Sequence, residues 1–141
     1  MYNTDIRLQL IEKYPGDEVI LPFYYFDIMK KPEIHIGKIS IRIGDNFHSY
    51  YNGHVGFEIF EKFRGNNYAY QATFLILDIA KSEGMNRLYL TCRESNGASR
   101  RIFEKLGADF VEIAAIPKEC FFYKDGIEDY AIYMLELSSS V

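Results

Sequence analysis

Between His54 and Lys81 the apolar spacing changes from strand-like to helical across one short polar turn, and this restricts the fold more than any other feature of the chain. Residues 54–60 (HVGFEIF) predict a strand. Residues 67–81 carry Ala69, Ala72, Phe74, Leu75, Leu77, Ile79 and Ala80 at helical spacing. The turn between them falls in residues 63–72 (FRGNNYAYQA). A strand, a tight turn and a helix N-terminus together make an anion site. The first amides of a helix have no carbonyl one turn back, and the helix dipole is positive at that end. Arg64 adds a fixed cation, and Gly65 lets the backbone come close to a ligand. The pattern points to a nucleotide-like, phosphate-bearing cofactor.

The rest of the chain surrounds this unit with strands. Residues 6–11 (IRLQLI) predict a first strand, and residues 12–21, with the turn Pro15-Gly16-Asp17, leave room for a short helix at most. Residues 23–29 (FYYFDIM) and 34–43 (IHIGKISIRI) predict an antiparallel hairpin closed by Lys30-Lys31-Pro32. Residues 44–53 (GDNFHSYYNG) predict a loop. After the first helix, which Gly84 stops, residues 87–92 predict a short buried strand. Residues 96–106 predict a second helix with Ala98, Ile102, Phe103 and Leu106 inward and Gly107 just past its end. Residues 110–116 and 130–137 predict the last strands, and 138–141 a frayed tail. This order predicts an α/β (α+β) fold: one domain over residues 1–141, with a mixed, mostly antiparallel central sheet flanked by helices.

Composition excludes several classes. At 141 residues the chain suits one domain, and 48% hydrophobic with 26% charged residues is a globular rather than a disordered composition. No apolar run has the length of a membrane span, and the N-terminus shows no secretory signal. A net charge of −4 disfavours general nucleic-acid binding. His35, His48 and His54 are not at ligand spacing, so no metal site is expected. Cys92 and Cys120 fit no metal or redox spacing and read as free thiols of a cytoplasmic protein.

Two segments carry a family resemblance. Residues 54–72 (HVGFEIFEKFRGNNYAYQA) resemble the strand, pyrophosphate turn and helix of the GCN5-related N-acetyltransferase (GNAT) superfamily, with Arg64, Gly65, Tyr68, Ala69 and Ala72 matching. Residues 96–110 (NGASRRIFEKLGADF) resemble the second acetyl-CoA element of that family. Here Asn96, Ser99, Glu104, Lys105 and Gly107 match the branch that includes the ribosomal-protein N-terminal acetyltransferases. A weaker match is Gly126, Asp129 and Tyr133. The chain departs from the family in four respects. Asn67 stands where the middle Gly is usual, Gln71 replaces a common Glu, and Phe103 replaces a tyrosine that protonates the leaving thiolate. The helices usual between the first two strands have no room. Asn is the non-glycine residue that best tolerates a left-handed backbone, so the turn is expected to form.

The resemblance implies an acetyl-CoA-dependent N-acetyltransferase that moves an acetyl group directly to a primary amine, with its cofactor core over residues 54–107. It implies that the pantetheine arm pairs with the strand at Phe57 and Ile59. The pyrophosphate would sit on the amides of Asn66, Asn67, Tyr68, Ala69 and Tyr70 beside Arg64 and Gly65. Asn96 would bond the arm near the thioester, Ser99 would protonate the thiolate, and Phe103 would lie against the cofactor. Glu58 and Glu119 are the candidate bases, and a water chain would replace either. Each residue also has a plainer reading. Asn96 caps a helix as readily as it binds a cofactor. Glu58 and Glu119 read equally as surface charges, and Arg93, Arg100, Arg101 and Lys105 as a solvated helix face. One or two of those cations would suit a CoA 3′-phosphate. Tyr50 and Tyr51, beside His48, are candidates to line an acceptor pocket. A homodimer through the last strands is a further implication of the family. Two rivals stay open: a non-catalytic acyl-CoA-binding module, favoured by Asn67 and Phe103, and a phosphate-binding protein of another α/β class.

Overall fold

Each long alternating or helical run of the sequence becomes one element. In the computed structural model, which describes residues 6–137, the order is β1 (Ile6–Tyr14), β2 (Phe23–Lys30), β3 (Ile34–Arg42), α1 (Phe47–Asn52), β4 (Val55–Ile59), α2 (Tyr68–Ser82), β5 (Arg87–Arg93), α3 (Gly97–Lys105), β6 (Asp109–Ala114) and β7 (Tyr130–Glu136). A 3-10 turn, Glu61–Phe63, precedes α2. The tail expected to fray, 138–141, lies outside the described residues. The strands form two sheets, β1-β2-β3-β4 and β5-β7-β6, in which every described pairing is antiparallel. The α+β class, with mostly antiparallel sheets flanked by helices, is therefore the one the sequence predicts. Contacts gather the chain into two compact units, Met1–Ile43 with Val55–Gly84, and Gly44–His54 with Met85–Val141.

In the first unit the two-residue period of the strands sorts side chains between the faces of the sheet. Phe26 and Ile28 of β2, Ile39 and Ile41 of β3, and Val55 and Ile59 of β4 are buried. Helix α2 turns Ala72, Thr73, Ile76 and Ala80 inward and packs on β1, β3 and β4. These positions recur at three and four residues, so they form one stripe. Burying each large aliphatic side chain contributes about 1.5–3 kcal/mol. Gly37 marks where two backbones crowd together. A Cβ there would lie 2.3 Å from the Glu58 carbonyl oxygen. Gly37→Ala must therefore push β4 away from β3. The expected loss is about 1–3 kcal/mol, read as a lower urea midpoint at unchanged m; a midpoint equal to wild type would contradict the close approach.

One expectation for local structure is corrected, and the first strand runs longer than expected. Residues 44–53 are not a plain loop, because Phe47–Asn52 form helix α1. Asn46 Oδ1 accepts from the amides of His48 at 2.9 Å and Ser49 at 3.0 Å, and Ser49 Oγ accepts from Asn46 N at 3.0 Å. This is a capping box built from Asn and Ser. No helix forms within residues 12–21. The first strand runs on to Tyr14, past a bulge between Leu10 and Glu12 that breaks the alternation. The chain then turns on Asp17, whose carboxylate accepts from the amides of Val19 and Ile20, each at 2.8 Å.

In the second unit β7 lies between β5 and β6. Leu88, Leu90, Ala131, Ile132 and Tyr133 make its core. Helix α3 ends as predicted on Gly107, at φ 90°. Gly107 N donates to Glu104 O and Ala108 N to Phe103 O, both at 3.0 Å. These two bonds satisfy carbonyls left open at the helix end. Helix α1 packs on β5 and β7 through a joint at Gly53 and His54. The His54 amide donates to Tyr89 O at 2.8 Å, and the Tyr89 amide donates to His54 Nδ1 at 2.9 Å. The opposite ring nitrogen, Nε2, lies 2.8 Å from Gly44 O. Because Nδ1 is an acceptor, Nε2 carries the proton.

Candidate functional site

The turn between β4 and α2 is held open by two left-handed residues. Gly65 has φ 85° and Asn67 has φ 67°. Asn67 is the only described non-glycine residue with positive φ, and it stands where the sequence calls for a left-handed position. Left-handed residues alternating with ordinary ones turn successive backbone N–H groups toward one concave side, which suits an anion. The Asn67 carbonyl accepts from Gln71 N at 3.2 Å, the first bond of α2. No acidic side chain occupies the first turn of α2, so the positive end of the dipole is not offset by a carboxylate.

Two side chains brace this turn. Arg64 Nε donates to the Ile59 carbonyl at 2.8 Å, tying the turn to the end of β4. Asn66 Nδ2 donates to Phe63 O at 3.1 Å. Arg64 to Asn67 are exposed, and Tyr68, Ala69 and Tyr70 are half-buried. β4 is the last strand of its sheet, and an edge strand directs alternate backbone groups away from its neighbour. Phe57 and Ile59 lie on this strand. Thus Phe57, Glu58, Ile59 and Arg64 to Tyr70 form one contiguous group within the first unit.

In the second unit Asn96 takes its capping role: its Oδ1 accepts from Ser99 N at 3.1 Å. Capping uses the carbonyl oxygen and leaves the amide end of this exposed residue to other partners. Ser99 is half-buried in the first turn of α3. Phe103, one turn on, is 2% exposed, with its ring edge-on to Tyr133 at 5.4 Å between centroids. Arg100 is committed inward: Nε donates to Tyr133 Oη at 3.0 Å and Nη1 to Glu94 O at 3.2 Å. The Tyr133 hydroxyl in turn donates to Glu104 at 3.2 Å. Arg93, Arg101 and Lys105 are the exposed cations of this group. Glu119 is exposed in a turn closed by Cys120 N donating to Pro117 O at 3.0 Å. Tyr50 and Tyr51 lie on α1, where Tyr50 bonds Glu112; burial and that bond push its pKa up to about 12.

Both cysteines are free and buried. Burial pushes the Cys92 thiol up to about 11 and raises that of Cys120. Neither is a thiolate near neutral pH. Among the described residues, no group of His, Cys, Asp and Glu side chains is arranged to hold a metal ion.

The sequence reading missed one feature of the first unit. On the sheet face opposite α2, a hollow of about 200 Å³ is lined by Tyr25, Lys38, Ser40, Gly56 and Glu58, with Ile39 and Phe57 behind them. Strand register makes it: Tyr25 pairs with Ser40 and Ser40 with Gly56, while Lys38 pairs with Glu58 in the next row. The only local signal was Gly56, a glycine inside a strand.

Residues 4–109 match the sequence pattern described as the acetyltransferase (GNAT) domain. No curated protein matches the chain in sequence. Solved structures share its fold. One is the microcin C7 self-immunity acetyltransferase MccE in complex with acetyl-CoA and AMP (TM-score 0.59, 21% identity, 81% of this chain and 61% of that one). A second is the acetyl transferase of Salmonella typhimurium that modifies the N-terminal serine of a 50S ribosomal subunit protein (TM-score 0.64, 18% identity, 82% and 64%). A third is yncA of Salmonella typhimurium with its cofactor acetyl-CoA (TM-score 0.63, 15% identity, 84% and 67%). At these identities the likeness is one of fold. The chain spans 61% to 67% of the length of these three structures.

Proposed function

Because the chain belongs to the acetyltransferase (GNAT) domain family, we propose that it binds acetyl-CoA and transfers the acetyl group directly to a primary amine. The observation that carries this reading is the turn from Arg64 to Asn67, with φ positive at Gly65 and Asn67 and no carboxylate in the helix turn that follows. Acetyl-CoA, the co-substrate, would bring the activated acyl group as a thioester. The amides of Asn66 to Tyr70 would hold its pyrophosphate and the edge of β4 its pantetheine arm. MccE with acetyl-CoA and yncA with its cofactor acetyl-CoA support this choice of ligand.

In the transfer the amine nitrogen bonds to the thioester carbon, the C–S bond breaks, and its electron pair leaves with sulfur. The ammonium must first lose a proton, to Glu58, Glu119 or water. Ser99 is our choice to return one to the thiolate, since Phe103 has no proton to give. The buried thiols favour direct transfer over an acyl-cysteine route. Cys92→Ala combined with Cys120→Ala should leave amine-dependent thiol release essentially unchanged; its loss in a folded variant would favour the covalent route. Two free thiols also suit a reducing, cytoplasmic setting.

The branch resemblance favours no acceptor. Of its five residues, Gly107 ends α3 and Glu104 receives the Tyr133 hydroxyl, both structural duties. The test is acetyl-CoA turnover against a broad panel of primary amines, with products identified by mass. Amine-dependent thiol release with an acetylated product supports transfer. Binding without transfer to any amine would instead favour the non-catalytic acyl-CoA module.

A further inference from the structure

The loop that carries Asn96 is drawn tight by its own backbone and tied down by one remote carboxylate. Asn96 N donates to Arg93 O at 2.9 Å, and Gly97 N donates to Ser95 O at 3.0 Å. With φ −83° and ψ 78°, Asn96 is the centre of an inverse γ-turn. That turn aims the Asn96 side chain, but it does not by itself hold the loop to the sheet. The hold comes from the segment that leads into β7. Glu94 N donates to Asp129 O at 2.9 Å, one step past Arg93 and Tyr130, the last register pair of β5 and β7. Glu128 then takes both donors of Ser95. Its Oε1 accepts from the Ser95 amide at 2.9 Å and its Oε2 from the Ser95 hydroxyl at 3.0 Å.

Two bonds from one residue to one carboxylate fix both position and direction, and bonds to an ionised acceptor are roughly twice as strong as neutral ones. The Ser95 amide, and after it the Ser95 hydroxyl, hold the Glu128 carboxyl below its usual range, so it is ionised at neutral pH. Ser95 and Glu128 are both exposed, so the pair buries no part of the core. What it fixes is the residue immediately before Asn96. We propose that Glu128 is a positioning residue for the cofactor: it holds Ser95 so that the Asn96 amide group, left open by capping, meets the pantetheine arm. The inference rests on the acetyl-CoA reading. Glu128 itself touches neither the cofactor nor the reacting atoms and acts through Asn96. Charge alone argues in the opposite direction. Arg93 lies in the field of the same carboxylate, so deleting that negative charge would favour an anionic cofactor. Weaker binding on removal of Glu128 therefore reports the lost bonds.

The test is titration calorimetry of acetyl-CoA with wild type, Glu128→Ala, Glu128→Gln, Asn96→Ser, and Glu128→Ala combined with Asn96→Ser. Serine keeps the helix cap but loses the amide group. Both positions are exposed, so the variants should fold, and the unliganded Tm of each checks this. Glu128→Ala should weaken acetyl-CoA binding roughly tenfold. Glu128→Gln should recover most of that loss, since a side-chain amide can accept from Ser95 N and donate to Ser95 Oγ. In the Asn96→Ser background the same Glu128→Ala change should have little further effect, because groups that act as one unit are not additive. A loosened loop without a role toward Asn96 would instead weaken binding equally in both backgrounds. Unchanged affinity in Glu128→Ala, no recovery in Glu128→Gln, or a full additional loss in the double variant overturns the positioning proposal alone. Wild type that binds no acetyl-CoA overturns the cofactor reading and this proposal with it.

Discussion

Alanine at position 53 will destabilise the protein by about 3 kcal/mol or more. Gly53 combines φ 77° with ψ 169°, a region open essentially to glycine alone. It is also crowded: a Cβ would lie 3.0 Å from Thr91 Oγ1, 3.1 Å from Thr91 N and 3.1 Å from Tyr89 O. Two of these atoms are backbone of β5, which cannot step aside as a flexible side chain would. The same residue ends α1 through its amide, which donates to Ser49 O at 2.9 Å. The next residue, His54, is fully buried and bonded to Tyr89 in both directions. Strain at Gly53 therefore reaches the joint that seats α1 on β5. Gly84→Ala separates the two causes, since Gly84 has φ 86° and nothing within 4 Å of its added Cβ. That variant should lose only about 1–2 kcal/mol. Denaturant midpoints measure both. Equal losses would mean that backbone conformation alone matters and that the close approach to β5 does not.

The second large effect is electrostatic. Asn67→Asp keeps the shape of the side chain and should keep the left-handed backbone, but it places a negative charge at the mouth of the turn. Unliganded stability should stay level or rise by about 0.3–1 kcal/mol, because an anion suits a helix N-terminus. Acetyl-CoA affinity should fall at least about tenfold, or 1.4 kcal/mol. Two like charges about 4 Å apart repel by about 1 kcal/mol in water and about 4 kcal/mol near a protein surface. Asn67→Gly, which also accepts positive φ, should bind as well as wild type or better. Titration calorimetry of the three proteins decides it. Weaker binding that followed lost stability, or equal binding by the Asp variant, would place the pyrophosphate elsewhere.

How much of this was readable from the sequence follows from the range of the forces involved. The strand, turn and helix around Arg64 were legible because spacing, Gly65 and Asn67 all act locally. Asn67 could be assigned a left-handed conformation from its chemistry, and the structure has it at φ 67°. The ends of α3 were legible for the same reason, with Asn96 and Gly107 at its two caps. Helix α1 was not. Its six residues give too little periodicity, and its capping box uses Ser49 where a Glu or Gln is the usual signal. The tie from Arg100 to Tyr133 spans 33 residues, so the sequence offered Arg100 only as one cation among four. Nor could the hollow be seen, because Tyr25, Ser40 and Gly56 become neighbours only through the register of three strands.

The central claim, that this fold holds acetyl-CoA, is tested most directly by thermal unfolding with excess acetyl-CoA, alongside ATP and NAD. Binding to the native state raises stability by mass action, by about 2.7 kcal/mol when the ligand is at a hundred times its Kd. The account predicts a rise in Tm with acetyl-CoA that ATP and NAD do not match. No rise, or an equal rise with ATP, would contradict it and leave the turn a general phosphate site.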